Sequence, residues 1–245
     1  MKSANDYARE ILKEFDKLEG SLNKRALFED WLNGIFCNLN SLTGRDESGK
    51  EYEEFLERAH STRTTKMVMG YNKITALLNE GLRTTREDIL GIVYMNITGC
   101  SKSSRSFGQC FTPNSVATLM GKIVGNEDKK DKPETISDQC CGSGALSIGA
   151  LEDMFRNGKK KENITLYAYD IDMICVEMAL MQFSILGYDA YVIRQNLLEQ
   201  DEPSIYFTPL ASYKAGNNLE FHQQKTLQII ADVANKHLKS PTDAA

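Results

Sequence analysis

Apolar side chains recur at Tyr7, Ala8, Ile11, Leu12, Phe15 and Leu18, the i, i+3, i+4, i+7 spacing that lays one stripe along a helix. This predicts a first helix over residues 3–19, ended by Gly20. A second is expected over residues 24–39, where Ala26, Leu27, Phe28, Trp31, Leu32, Ile35 and Phe36 feed one face. The single tryptophan reads as part of that core. Residues 44–50 are polar and glycine-bounded, a loop by composition. Tyr52, Phe55, Leu56 and Ala59 mark a third helix. Met67, Val68, Tyr71, Ile74, Leu77 and Leu78 mark a fourth over residues 64–78. Thr85 then reads as an N-cap, with Glu87 and Asp88 in a first turn where the helix dipole favours acids. Residues 1–98 are therefore expected to form a helical region.

The texture changes at Gly99, and residues 99–245 read as a second unit. Residues 100–106 are small, polar and mildly basic. Pro113 suits a first helical turn, with Thr112 as its cap ahead of Val116, Ala117 and Leu119. After a charged stretch at 126–132, Thr135 and Ile136 lead as a strand into Asp138. The turn Gly142-Ser143-Gly144 and the helix formers Ala145, Leu146, Ile148 and Leu151 follow. A second strand over 164–170, a helix over 172–186 closed by Gly187, and a third strand at Tyr191-Val192-Ile193 repeat the rhythm. Strands alternating with such helices predict a parallel, doubly wound α/β sheet whose ligands sit beyond the carboxyl ends of the strands. A helix is expected again over 219–238.

Composition narrows the class. With 41% hydrophobic and 26% charged residues, the chain matches an ordinary globular protein, and no apolar run approaches the ~20 residues that span a bilayer. The N-terminal residues lack the charged-then-apolar layout of a secretion signal, so a cytoplasmic location is expected. Six cysteines are scattered without a C-x-x-C pair, which argues against a zinc site and against a disulfide framework. A net charge of −5 sits awkwardly with a nucleic-acid partner, since phosphates reward clustered Lys and Arg. Local basic groups exist at Arg58, Arg63, Lys66 and Lys73, and at Lys102 and Arg105; Lys159-Lys160-Lys161 reads as a solvated turn after Gly158.

Three polar residues fall at three consecutive strand ends: Asp138, Asp170 and Asn196. A glycine turn alone fits many nucleotide sites. An acid ending the second strand adds a partner for ribose hydroxyls, whereas an acid in front of the turn suits an amine better than a pyrophosphate. At these residues the chain resembles the amino-methyltransferases that modify adenine in DNA, especially the modification subunits of type I restriction systems and short phage relatives. Their D-P-x-x-G-S-G loop is similar to Asp138-Gln139-Cys140-Cys141-Gly142-Ser143-Gly144, with Gln139 in place of the proline. Their F-T-P motif is similar to Phe111-Thr112-Pro113, their second-strand acid to Asp170 in Tyr169-Asp170-Ile171-Asp172, and their third-strand polar residue to Asn196-Leu197. The resemblance covers about residues 85–200. It implies a Rossmann-like S-adenosylmethionine-dependent methyltransferase sheet, cut short, behind a helical N-terminal region. It further implies that Asp138 and the Gly142, Ser143 and Gly144 backbone hold the methionine portion of S-adenosylmethionine, with Thr112 and Pro113 nearby. Asp170 would take the ribose hydroxyls, Phe111 and Ile171 the adenine faces, and Asn196 the adenine amine.

The acceptor motif of that family, N-P-P-F or D-P-P-Y at the end of a fourth strand, has no counterpart. The five prolines are Pro113, Pro133, Pro203, Pro209 and Pro241, so no Pro-Pro pair exists. The nearest candidates are Phe207, Thr208 and Pro209, in which Thr208 could accept a hydrogen bond and Phe207 could stack; the competing reading is a strand ending at a proline turn. Two functions stand side by side: a methyltransferase acting on the exocyclic amine of adenine in DNA, with residues 100–105 and the N-terminal region at the nucleic acid, or a non-catalytic methyltransferase-like protein that binds cofactor or DNA, or partners an active subunit. A sheet cut off after its fourth strand would expose a central apolar strand, so a homo-oligomer or a partner subunit completing the sheet is expected.

Overall fold

The computed structural model describes residues 1–20, 22–45, 50–62, 64–99, 111–124, 132–198 and 202–216. The expected loop at 100–106, most of the charged stretch at 126–132 and the expected helix at 219–238 lie outside the described residues.

Helix α1 (Ala4–Leu18) opens with a reciprocal capping box between Ser3 and Asp6 and buries Tyr7, Ala8, Ile11 and Phe15, the predicted stripe. Helix α2 (Lys24–Thr43) runs four residues beyond its predicted end and stops where Gly44 turns left-handed at φ 76°. The extension is fixed by contacts distant in sequence: Ser212 Oγ donates to the Thr43 carbonyl, and Arg45 Nε to the Ile205 carbonyl, both at 3.0 Å. Phe15, Phe28 and Trp31 meet with ring centroids 5.8 to 6.0 Å apart, and Trp31 Nε1 donates to Thr75, so the tryptophan is core. Helix α3 is Lys50–Thr62.

Helix α4 (Thr65–Thr85) also outruns its predicted end. Thr85 is therefore not an N-cap; it is the last helical residue, and its hydroxyl donates back to the Gly81 carbonyl, a bond that satisfies a side chain within the helix rather than starting a new one. Helix α5 (Leu90–Thr98) follows after Arg86 turns left-handed at φ 55°. Helix α6 (Asn114–Val124) begins one residue later than expected, with the amides of Val116 and Ala117 donating to the Pro113 carbonyl. It lies so close to α7 (Ala145–Arg156) that a β-carbon on Gly121 would sit 2.6 Å from the Gly149 carbonyl oxygen.

Three strands, β1 (Glu134–Asp138), β2 (Ile164–Asp170) and β3 (Ala190–Arg194), pair in parallel as predicted. Between β2 and β3 runs α8 (Met173–Leu186), buried on nearly all sides, capped by Asp172 and closed by left-handed Gly187. The fourth strand, β4 (Ser204–Phe207), departs from a parallel sheet: it runs antiparallel beside β3, in the order β1-β2-β3-β4. Only residues 195–203 connect β3 to β4, short of the dozen or so that a parallel crossover takes. Helix α9 (Pro209–Lys214) ends the described chain. The sheet edge is also less apolar than expected: among the described strands the edge on the cofactor-loop side is β1, whose Thr135 and Ser137 are exposed.

One continuous core joins both regions of the sequence, from Ala4, Phe15 and Trp31 through Leu82 and Val93 to Leu166, Phe183 and Val192. Helix α8 supplies the joint, packing against α2 and α4 on one side and β2 and β3 on the other. The opposite sheet face holds a smaller cluster in which Tyr167 and Tyr191 stack at 4.9 Å. The lysine triplet is not a solvated turn. Lys159 is buried and its ammonium donates to Glu134 and the Lys132 carbonyl, while Lys161 lies over the Phe155 and Tyr188 rings. Lys161 thereby lies against aromatic faces as cationic side chains do.

Glu177 sits in the α2–α8 seam, where Asn33 Nδ2 donates to it at 3.4 Å. Burial pushes its carboxyl up to about 7, against the Asn33 bond and helped by Asp172 and Glu29. A folded-state value above the ordinary 4.5 means that the contribution of Glu177 to stability is greatest below pH 4.5 and is lost as pH rises through about 7. The variant Glu177→Gln should lose this dependence: its unfolding free energy relative to that of wild type should be about 1–3 kcal/mol higher, in the stabilising direction, at pH 8 than at pH 4.5. Urea titrations at both values check it, and an equal difference at the two would contradict it.

Candidate cofactor site

The carboxyl ends of the three parallel strands converge on one cavity of about 630 Å³. Phe111, Thr112, Gly142, Asp170, Ile171 and Asn196 line it, six of the ten residues expected at the cofactor, together with Gln139, Cys140, Cys141, Ala145, Leu146, Cys175, Gln195, Leu197 and Leu198. Pro113, Asp138, Ser143 and Gly144 do not line it. Ile171 and Leu198 stay exposed at 59% and 97%, which gives the mouth an apolar rim.

The turn after β1 is the floor. Gly142 and Gly144 adopt left-handed φ values of 55° and 95°. No side chain fits there: a β-carbon on Gly142 would sit 2.8 Å from the Phe111 ring, and one on Gly144 2.6 Å from the Phe183 ring. The Cys141 amide donates to the Tyr169 carbonyl and the Gly144 amide to the Cys141 carbonyl, each at 2.8 Å. The Gly142 amide donates to Asp170 Oδ2 at 2.8 Å, while Asp170 Oδ1 accepts the Asp172 amide at 2.9 Å. The acid at the end of β2 thus shapes the turn as well as facing the cavity, and each oxygen keeps lone-pair capacity for a ligand hydroxyl.

Asp138 lies behind the turn. Ser147 Oγ donates to it at 2.6 Å, and burial raises its carboxyl above its ordinary value, opposed by Ser147 and the Cys140 backbone and helped by Asp170. Asn196 Oδ1 accepts the Leu198 amide, a local turn that fixes its side chain at the rim. Cys141 and Cys175 are buried thiols pushed well up by burial, so they are inert packing groups on the wall. Cys140 is exposed.

A group absent from the sequence-derived site holds the turn from the other side. Asp88, expected only as a dipole partner, is buried at 2% exposure. Its Oδ2 accepts Ser143 Oγ at 2.7 Å; its Oδ1 accepts the Gly91 amide at 2.9 Å and Gln182 Nε2 at 2.8 Å. Gln182 Nε2 also donates to the Ser143 carbonyl, and its Oε1 accepts the amides of Ile89 and Leu90. Burial raises the Asp88 carboxyl, and the three hydrogen bonds oppose that rise.

The acceptor candidates are elsewhere. Because β4 is antiparallel, Phe207 pairs with Tyr191 near the start of β3, at the end of the sheet opposite the cavity. Thr208 is fully buried there, donating to the Tyr188 carbonyl and accepting the Ala211 amide as the N-cap of α9, with Pro209 in the first turn. The structure does not bring Phe207, Thr208 or Pro209 to the cofactor cavity; the strand ending at a proline turn is what it contains. Among the described residues, no group of three or more His, Cys, Asp or Glu is placed to hold a metal ion.

Three parallel strands with a glycine turn after the first, an acid ending the second and a cavity across all three strand ends form the kind of crevice in which open α/β sheets place their ligands. The family profile for N-6 DNA methylases matches residues 85–234, more than half of the chain, and the chain belongs to that family. Among solved structures it is similar to a Listeria monocytogenes protein assigned to the class I S-adenosylmethionine-dependent methyltransferases, at 16% identity and a TM-score of 0.45 over 80% of this chain and 56% of that one. It is also similar to the methyltransferase subunit of a type I restriction-modification system from Streptococcus thermophilus, at 13% identity and a TM-score of 0.42 over 83% and 61%. The chain thus spans about three fifths of the length of these two structures. No curated protein matches it.

The turn geometry sets a testable cost. Gly142→Ala should lower unfolding free energy by about 1–3 kcal/mol, from the left-handed backbone and the displaced Phe111 ring. Urea denaturation reads this directly, and a midpoint equal to wild type would mean the turn is not held as described.

Proposed function

We propose that the cavity binds S-adenosylmethionine and that the protein serves methyl transfer to the exocyclic amine of adenine in DNA. The observation that carries this reading is the cavity's charge. Among the described residues that line the cavity only Asp170 bears a formal charge, and none is Lys or Arg. Against that described lining a pyrophosphate would meet a carboxylate, whereas the sulfonium and ammonium of S-adenosylmethionine suit a negative wall. The family membership supports the same cofactor and the same acceptor.

The residues divide the work by chemistry. Asp170 accepts the ribose hydroxyls with the lone pairs that its two amide bonds leave over. Phe111 and Ile171 take the faces of the adenine ring, and Asn196 its amine. The amides at the start of α7 offer partial positive charge to the methionine carboxylate. When bound, the cofactor supplies an electrophilic methyl group, and the protein's part is to orient it toward a flipped-out base while the apolar rim at Ile171 and Leu198 keeps water away. DNA is the proposed partner macromolecule, and a second copy or partner strand on the edge of β1 that no described strand pairs is the proposed assembly. A hydrodynamic mass equal to one chain at micromolar concentration would count against that assembly.

Asp170→Ala should weaken S-adenosylmethionine by about 1.5–3 kcal/mol, but part of that loss comes through the Gly142 amide. A cycle with an analogue lacking both ribose hydroxyls separates the two parts. Wild type should prefer the natural cofactor over the analogue, and Asp170→Ala should lose most of that preference. A preference that survives the substitution would contradict the ribose assignment. Binding with no transfer to any adenine-containing DNA would instead favour the non-catalytic reading.

A further inference from the structure

The cofactor turn is built into the helical region ahead of it, and one carboxylate makes the connection. Asp88 lies between α4 and α5, far in sequence from Ser143 and Gln182, yet its two oxygens accept from three donors on three segments. Ser143 is gripped twice, by its hydroxyl on Asp88 and by its carbonyl on Gln182 Nε2. Gln182 in turn holds the first amides of α5 through Oε1. The ring of bonds closes on itself with every member engaged, the condition under which a buried polar network rigidifies what it touches. The fit is tight: a β-carbon on Gly91 would lie 2.5 Å from Ser143 Oγ and clash with Asp88 Oδ2.

Resting on the cofactor reading above, we propose that Asp88 is a positioning residue for S-adenosylmethionine: acting through Ser143, it holds Gly142 and Gly144 in their left-handed conformations. Asp170 pins the same turn from the β2 side, so the turn is held from both flanks. The helical region is thereby part of the cofactor site, although none of its described residues lines the cavity. Removing the carboxylate frees the Ser143 hydroxyl and one of the two Gln182 Nε2 bonds, leaving the turn on this flank only the Gln182 bond to the Ser143 carbonyl.

The test compares wild type, Asp88→Ala and Asp88→Asn as full chains, at a temperature where each is folded. Two readouts are used: amide hydrogen exchange at residues 141–145 without ligand, and calorimetric affinity for S-adenosylmethionine and for its demethylated product. Asp88→Ala should speed exchange at the turn by about tenfold and weaken both ligands by a similar factor, the size of one lost charge-assisted hydrogen bond. Asp88→Asn, which retains an oxygen for Gly91 and Gln182 and can donate its Nδ2 to the Ser143 hydroxyl oxygen, should recover most of both. A purely structural role would lower the melting temperature and leave turn exchange and affinity within twofold of wild type; that result would overturn the proposal. Should Asp88→Ala fail to fold, Ser143→Ala breaks the same link from the other end, and unchanged turn exchange in it is equally contrary. If wild type binds neither ligand, the cofactor reading fails, while the exchange comparison still decides the role of Asp88.

Discussion

The structure depends on a tight turn that only glycine can make and that two carboxylates hold. Gly142 and Gly144 place backbone where a side chain would strike Phe111 or Phe183, and left-handed residues return to other conformations unless their surroundings determine them. Asp170 fixes the Gly142 amide from the end of β2, and Asp88 fixes Ser143 from beneath α5. Each anchor is a charged acceptor on a backbone or hydroxyl donor, the stronger kind of hydrogen bond. The open floor of the cavity, its negative wall and the start of α7 all follow from where this turn is held.

The same constraint explains why the helical region and the sheet form one packed body. Asp88 and Gln182 are buried polar groups, and burial without partners would cost far more than each bond returns. They are tolerable only because α5, α8 and the turn meet at one point, which requires the shared apolar core from α1 to β3. Tyr94 shows the join in another form: its ring meets Phe28 of the helical region on one side and Phe111 of the cavity wall on the other, each at 5.8 Å.

Much of this is readable along the chain. Periodicity locates α1, short apolar runs beside turn residues locate the three parallel strands, and Asp170 and Asn196 stand where strand ends place ligand groups. Other features depend on contacts too distant for local pattern. Asp88 bonds to residues 55 and 94 positions away, and nothing near it in sequence distinguishes a buried anchor from a dipole partner. The apolar stripe of α2 fades at Leu42, which is 70% exposed, so the last turn is legible only from the partners that Thr43 and Arg45 find near β4. The direction of β4 is likewise silent in its own residues and is set by the short link that precedes it. That direction places Thr208 and Pro209 away from the cofactor cavity, although their position in the chain order fits an acceptor motif.

Binding of S-adenosylmethionine across the three strand ends is read from backbone amide chemical shifts recorded as the cofactor is added. Saturable changes should be largest at Gly142, Ile171 and Asn196, with Thr208 and the rest of the β4 end unmoved. Saturation with those three amides unshifted, or no change at millimolar ligand, would contradict it.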